Sequence, residues 1–214
     1  MRHLVFAFIG IVSIACAYVP NVQADVITLA QNSTLSGLLG GEPTWWSSLT
    51  TTEMNTGNMH SRVYSQVCSL GDWYVYLYQV DNTGVTGNSS VELFSLGEFT
   101  GSVADGQIGY LTDTGLPTGF FSGGRAPEDE GYIDDSTLNG LEISFYYGKT
   151  AHRSIAPGQD SRVMFIVSNL APGMVVGNVI DGIVATGPVV GPVPEPGTLV
   201  LLGGGGLGLV LCQS

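Results

Sequence analysis

Asp72-Trp73-Tyr74-Val75-Tyr76-Leu77-Tyr78-Gln79-Val80 is the stretch that decides the fold. Trp73, Val75 and Leu77 fall on one face of an extended chain, and Tyr74, Tyr76 and Tyr78 on the other. That two-residue period is the signature of a β-strand. Asp81-Asn82-Thr83-Gly84 then supplies turn residues, and 91–99 can return as a partner strand.

The same period recurs on both sides of this run. Residues 26–30, 62–68, 107–111 and 118–121 read as short strands. In 141–147, Leu141, Ile143, Phe145 and Tyr147 point one way and Glu142, Ser144 and Tyr146 the other. Ala156-Pro157-Gly158-Gln159 is a turn, and 161–168 is apolar on both faces, as expected in the middle of a sheet. Residues 175–185 hold the last strand, with a break at Asp181-Gly182. Residues 46–60 come nearest to a helical stripe, but Thr, Asn and Gly dominate there. About eight short strands separated by turns predict an all-β fold, an antiparallel β-sandwich of immunoglobulin-like or jelly-roll type. No internal repeat is present.

Four prolines in 188–196 predict a stiff, extended spacer after this domain. The expected organisation is a signal peptide at 1–24, a β-sandwich at 25–187, a Pro-rich linker at 188–197 and an apolar tail at 198–214. The central part has the length of one ordinary domain. Hydrophobic residues make up 44% of the chain, a figure raised by the two apolar ends. Only 11% are charged, and there are 31 glycines, which suits a secreted, turn-rich β domain. The net charge is −12. Taking away both ends removes Arg2 and Glu195 and leaves that balance unchanged. A surface of this sign repels phosphate backbones, and no basic stripe overrides it, so nucleic acid is excluded as a partner.

The N-terminus reads as an export signal. Arg2 and His3 precede an apolar run over 4–19, and Val22-Gln23-Ala24 offers a small-residue cleavage pattern that ends at Ala24. Cleavage there leaves Asp25 first. Cys16 follows Ser13-Ile14-Ala15, which lacks the Leu that lipid attachment prefers three positions upstream. With Cys16 and Cys212 in segments expected to be lost, Cys68 stands alone and no internal disulfide can form. A lone Cys in an apolar β pattern reads as buried filler.

The C-terminus reads Val193-Pro194-Glu195-Pro196-Gly197, followed by an uncharged apolar run over 198–212. This resembles the PEP-CTERM sorting signal of exported proteins. The family's Arg-rich end is not among the residues that follow, Gln213 and Ser214. Basic residues there would hold the end of an apolar helix on the cytoplasmic side. As a helix the run would reach roughly 22 Å at ~1.5 Å per residue, short of the ~30 Å hydrocarbon core. The resemblance implies that Val193, Pro194, Glu195 and Pro196 are a recognition element. It implies that the tail lies transiently in the inner membrane until an exosortase-type transpeptidase processes it. None of these residues would be catalytic.

Candidates for chemistry are few. Glu128, Asp129, Glu130, Asp134 and Asp135 form the densest acidic cluster and could offer oxygen ligands to calcium, with Asp134 and Asp135 foremost. They do not match the helix-loop-helix calcium pattern, and a solvated acidic loop fits them better. Trp45-Trp46 and the Tyr74, Tyr76, Tyr78 row could stack on sugars, or else pack in the core. His60 and His152 give a poor basis for zinc or a serine hydrolase, and no Gly-x-Ser-x-Gly turn occurs. Asn32-Ser33-Thr34 and Asn88-Ser89-Ser90 match the glycosylation pattern, which carries little weight in a bacterial exported protein.

No catalytic residue or cofactor is therefore expected. The expected role is a non-enzymatic surface or extracellular-matrix component, structural or adhesive. Extracellular polysaccharide is a candidate partner through a carbohydrate-binding module, and a secreted hydrolase ranks third. Exposed coplanar aromatics on one sheet face would favour sugar binding, and a cleft lined by two carboxylates an enzyme.

Overall fold

The computed structural model describes residues 25–193, apart from 29, 100–106, 113, 129, 135–140 and 149–153. The chain opens with β1 (Asp25–Thr28), β2 (Ala30–Ser33), the five-residue helix α1 (Leu35–Leu39) and β3 (Thr44–Trp45). It continues through β4 (Thr50–Thr56), β5 (Met59–Leu70), β6 (Trp73–Asn82), β7 (Leu93–Phe99) and β8 (Ile108–Leu111). Then come β9 (Glu130–Asp134), β10 (Leu141–Tyr146), β11 (Gln159–Asp160), β12 (Met164–Ser168), β13 (Ala171–Ile180) and β14 (Val184–Val193). The fold is an all-β sandwich. One sheet has the order β1-β9-β10-β7-β13-β14, the other β2-β8-β12-β6-β5-β3, with β4 also on β5 and β11 on β6. All pairs are antiparallel except β2 with β8.

The alternation in β6 explains the layering. Its Tyr76, Tyr78 and Val80 enter the core between the sheets, against Phe94, Phe145, Met164 and Ile166. Its Val75 and Leu77 enter a second core on the opposite face, with Cys68, Phe165, Val167, Leu111 and Phe120. Leu35, Leu38, Leu39, Leu49 and Leu116 roof this second core. The large sheet is thus covered on both faces, which is why β12 is buried at every position.

Several sequence expectations change. The return strand 91–99 does not pair with β6. It becomes β7 in the other sheet, between β10 and β13, while β6 lies between β5 and β12. Residues 46–60 hold β4 and the start of β5, a hairpin closed by Gly57 at φ 54°. Its threonines are β-branched and suit a strand. Residues 118–121 are not a strand: Phe120 drops into the second core from a turn. Residues 175–185 belong to two strands, joined at Asp181-Gly182-Ile183 with Gly182 at φ 65°, a three-residue hairpin with glycine at its left-handed position.

The largest correction concerns the supposed spacer at 188–196. Its first part is the second half of β14, paired with β13 from Val184 to Val193. The sandwich does not end at 187: its last strand runs to Val193.

Candidate functional site

Two regions are candidates for function: the strand that leads into the C-terminal tail, and a groove beside Trp45 on the outer face of the large sheet. In the first, Pro188 and Pro192 lie in an edge strand, where proline is tolerated because it costs no ladder bond on the open side. The outward main-chain groups of β14 are met by side chains from the opposite sheet. Thr52 Oγ1 donates to the Pro188 carbonyl at 2.6 Å and the Tyr78 hydroxyl to the Val190 carbonyl at 2.8 Å. The Val190 N–H donates to Ser65 Oγ at 3.4 Å. An edge blunted in this way is a poor template for other strands. Gly177 and Gly187 pair directly across β13 and β14, and the fully buried Met54 packs over them. The strand ends at Val193, which packs against the main core. Pro194, Glu195 and Pro196 lie outside the described residues, as does Ala24.

The second region is aromatic. All three tryptophans are exposed: Trp45 by 39%, Trp46 by 55% and Trp73 by 40%. Trp45 lies opposite Cys68, and Cys68 opposite Val75, so Trp45 and Trp73 share the outer face of the large sheet. Trp46 points the other way and meets Tyr74 edge-on, with centroids 6.5 Å apart. Beside Trp45 is a groove of about 300 Å³, walled by Leu35 and Ser36 of α1, Glu42, Pro43 and the turn at 115–118. Of the two readings of the tyrosine row, Tyr76 and Tyr78 take the core one, and Tyr74 is half-buried. Tyr76 and Tyr78 are fully buried between the sheets, and burial holds both hydroxyls well above the usual tyrosine range. They cannot stack on a ligand from solution.

A charged row crosses the outer face further along. Glu53, Arg62, Asp81 and Asp160 stand opposite one another on β4, β5, β6 and β11. Arg62 Nε donates to Glu53 Oε1 at 2.6 Å, and its Nη1 lies 4.0 Å from Asp81 Oδ2. Burial raises the Asp81 carboxyl above its ordinary value, against the pull of Arg62. Burial, and then the charge of Asp81, raise Asp160 likewise. Asp160 also lines a polar cavity of about 530 Å³ with Arg125, Gln159, Arg162 and the Gly123-Gly124 turn. The two aspartates stand side by side on one sheet face, not across a cleft as paired glycosidase carboxylates do.

The remaining candidates resolve differently. Glu130 and Asp134 begin and end β9, whose backbone pairs with β1 on one side and β10 on the other. Residues 130–134 are thus a strand held on both edges and not the loop expected for this acidic cluster. The Glu128 N–H is fixed to the Tyr146 carbonyl at 2.8 Å, while Asp129 and Asp135 lie outside the described residues. Cys68 is fully buried and its thiol is pushed up to about 11, which suits inert packing. His152 lies outside the described residues. The Asn88 amide is engaged by its neighbours: Oδ1 accepts from the His60 N–H at 2.7 Å, and Nδ2 donates to the carbonyls of His60 and Thr83 and to Asn82 Oδ1. That leaves Asn88 no free amide for glycosylation.

Residues 192–213 match the family model of the PEP-CTERM protein-sorting motif. This chain carries that sorting signal. It is therefore an exported protein of the exosortase-sorted kind, delivered through a membrane-associated step to the cell surface or beyond. The match begins at Pro192, so the motif overlaps the end of β14 and starts within the folded domain. Among the described residues no helix is long and apolar enough to cross a membrane, and the apolar run lies outside them. No curated protein and no solved structure matches the chain. The groove beside Trp45 had only the Trp45-Trp46 pair as a sequence signal. Its other walls come from α1 and the 115–118 turn, which no strand periodicity marks.

Proposed function

We propose that this protein is a non-enzymatic component of the cell surface or extracellular matrix, with a structural or adhesive role, that acts by binding. The observation that carries this reading is the division of its aromatics. Tyr76, Tyr78, Tyr147, Phe94, Phe145 and Phe165 are fully buried in the cores, while all three tryptophans, with Phe121, stand exposed. Exposed tryptophan on an exported domain supplies rigid, amphipathic contact area. The sorting signal supports the location at which such contacts would be used.

The test is cosedimentation of the full chain, held in detergent micelles, with extracellular matrix from its host. Retention on the matrix that falls when Trp45, Trp46 and Trp73 are together replaced by Ala supports the reading. Equal partition of wild type and variant overturns it. An enzymatic role would centre on Asp160 and its polar cavity. Release of reducing ends from the matrix, abolished by Asp160→Asn, would replace this proposal with a hydrolase.

A further inference from the structure

We propose that the groove between α1, Trp45 and the 115–118 turn binds an uncharged glycan chain, an inference that rests on the surface-binding reading above. The groove is built on fixed walls. The Thr34 Oγ1 caps α1 by accepting from the Gly37 N–H at 3.0 Å, and Gly40 closes it in the left-handed conformation. Leu35 and Leu116 reach from the two walls into the second core, Leu35 with only 3% exposure. A site anchored in this way loses little freedom on binding.

Its chemistry selects the occupant. Trp45 presents a flat π face, and a pyranose ring offers one face of C–H groups whose partial positive charge suits it. Ser36, Glu42 and Thr118 are exposed on the rim. A carboxylate accepts from neighbouring ring hydroxyls, and side-chain hydroxyls both donate and accept. The volume of about 300 Å³ is at the small end of ligand sites and suits about one or two sugar rings.

No Lys or Arg is among the described residues that line the groove, and the chain carries a net charge of −12. Uronate or sulfated chains would meet only repulsion. A proline-rich peptide needs a run of aromatic walls to seat successive turns, and Trp45 is the one aromatic among the described lining residues. An uncharged sugar polymer is the class that these groups fit.

The test titrates the full chain in detergent micelles with three probes: the neutral and the acidic fractions of the host's extracellular polysaccharide, separated on an anion exchanger, and a decaproline peptide. Calorimetry and tryptophan fluorescence report binding. The expected result is binding of the neutral fraction alone, weakened about tenfold or more by Trp45→Ala. Trp45→Phe keeps a stacking face and should hold the affinity within about threefold, while Met174→Ala, at an exposed position of β13 in the other sheet, should not change it. Thermal midpoints of the variants, matched to wild type, separate lost binding from lost folding.

Preference for the acidic fraction or for decaproline overturns the proposal, as does neutral-fraction binding that Trp45→Ala leaves intact. The failures are distinguishable. Matrix retention that survives Trp45→Ala but is lost with Trp46→Ala and Trp73→Ala removes the groove and leaves the surface-binding reading standing. Loss of all matrix retention in wild type removes both.

Discussion

Tyr76 and Tyr78 are fully buried between the sheets, whereas Trp73, on the same strand, is 40% exposed, as Trp45 is by 39% and Trp46 by 55%. By alternation alone, Trp73 belongs with Val75 and Leu77, which are buried beneath α1 and the turns that roof the second core. The roof does not bury Trp73. Aromatic residues with similar payloads thus divide by whether a second layer reaches them, and only those left over are available for contact outside the molecule. The sharpest way to break this comparison is truncation on each side of it. Tyr78→Ala should cost about 3–5 kcal/mol, since it empties a fully buried site. At roughly 2–4 °C per kcal/mol for a domain of this size, the thermal midpoint should drop by on the order of 10 °C. Trp73→Ala should change stability by less than about 0.5 kcal/mol. Equal losses in a thermal melt would show that the tryptophans are core residues after all.

The β13–β14 hairpin extends the contrast to glycine. A Cβ on Gly187 would come within 2.6 Å of Thr52 Cγ2 and 3.4 Å of Met54 Cγ. Gly187→Ala should therefore cost about 1–3 kcal/mol through overpacking. Gly71→Ala tests the other use of glycine, since its new Cβ meets nothing within 4 Å and only its φ of 59° is strained. That change should cost about 1 kcal/mol. Urea melts of the two variants rank them. A milder Gly187 variant would mean that β4 does not press on the hairpin.

These glycines also explain what the sequence conveyed and what it hid. The strand period of 72–80, the two-sided burial of 161–168 and the sandwich itself were legible, because alternation at period two is a local property. Which sheet 91–99 joins was not legible, because pairing depends on where distant strands lie. Pro188, Pro192, Gly187 and Gly191 spell a linker by composition. They sit in β14 because its outward edge needs no N–H from Pro188 and its inner face needs room for Met54 and Val175. The acidic run at 128–135 read as a loop for the same reason: carboxylates are poor strand formers, and only the neighbours β1 and β10 make 130–134 a strand. At the groove, Trp45 could be singled out from sequence. Ser36 and Thr118 could not, since only tertiary packing brings α1 and the 115–118 turn beside it.

A smaller effect sits on a single hydroxyl. Tyr78→Phe keeps the ring among Phe94 and its neighbours but removes the donor to the Val190 carbonyl. That loss should cost about 1 kcal/mol. It should also raise amide exchange along β14, where the sorting motif begins, and leave β12 unchanged. A variant as stable as wild type, with unaltered exchange, would show that the edge of β14 is held without this contact.

The smallest expected effect lies in the charged row. Asp81 and Asp160 face each other on adjacent strands, and both carboxyls are raised in the folded state, chiefly by burial. A carboxyl that holds its proton more tightly when folded adds stability below its unfolded value. That contribution is lost as pH rises through the higher folded value. At neutral pH the pair therefore opposes folding. Asp160→Asn should stabilise the protein there by a few tenths of a kcal/mol, the scale of a like-charge pair across a ladder. The gain should shrink as pH falls through the raised folded values towards the ordinary aspartate range, where wild-type Asp160 is itself protonated. Denaturant melts of both proteins at neutral and acidic pH measure the difference. A destabilised variant at neutral pH would mean that the Asp160 carboxylate is held by a cation, and Arg125 and Arg162 line the same cavity.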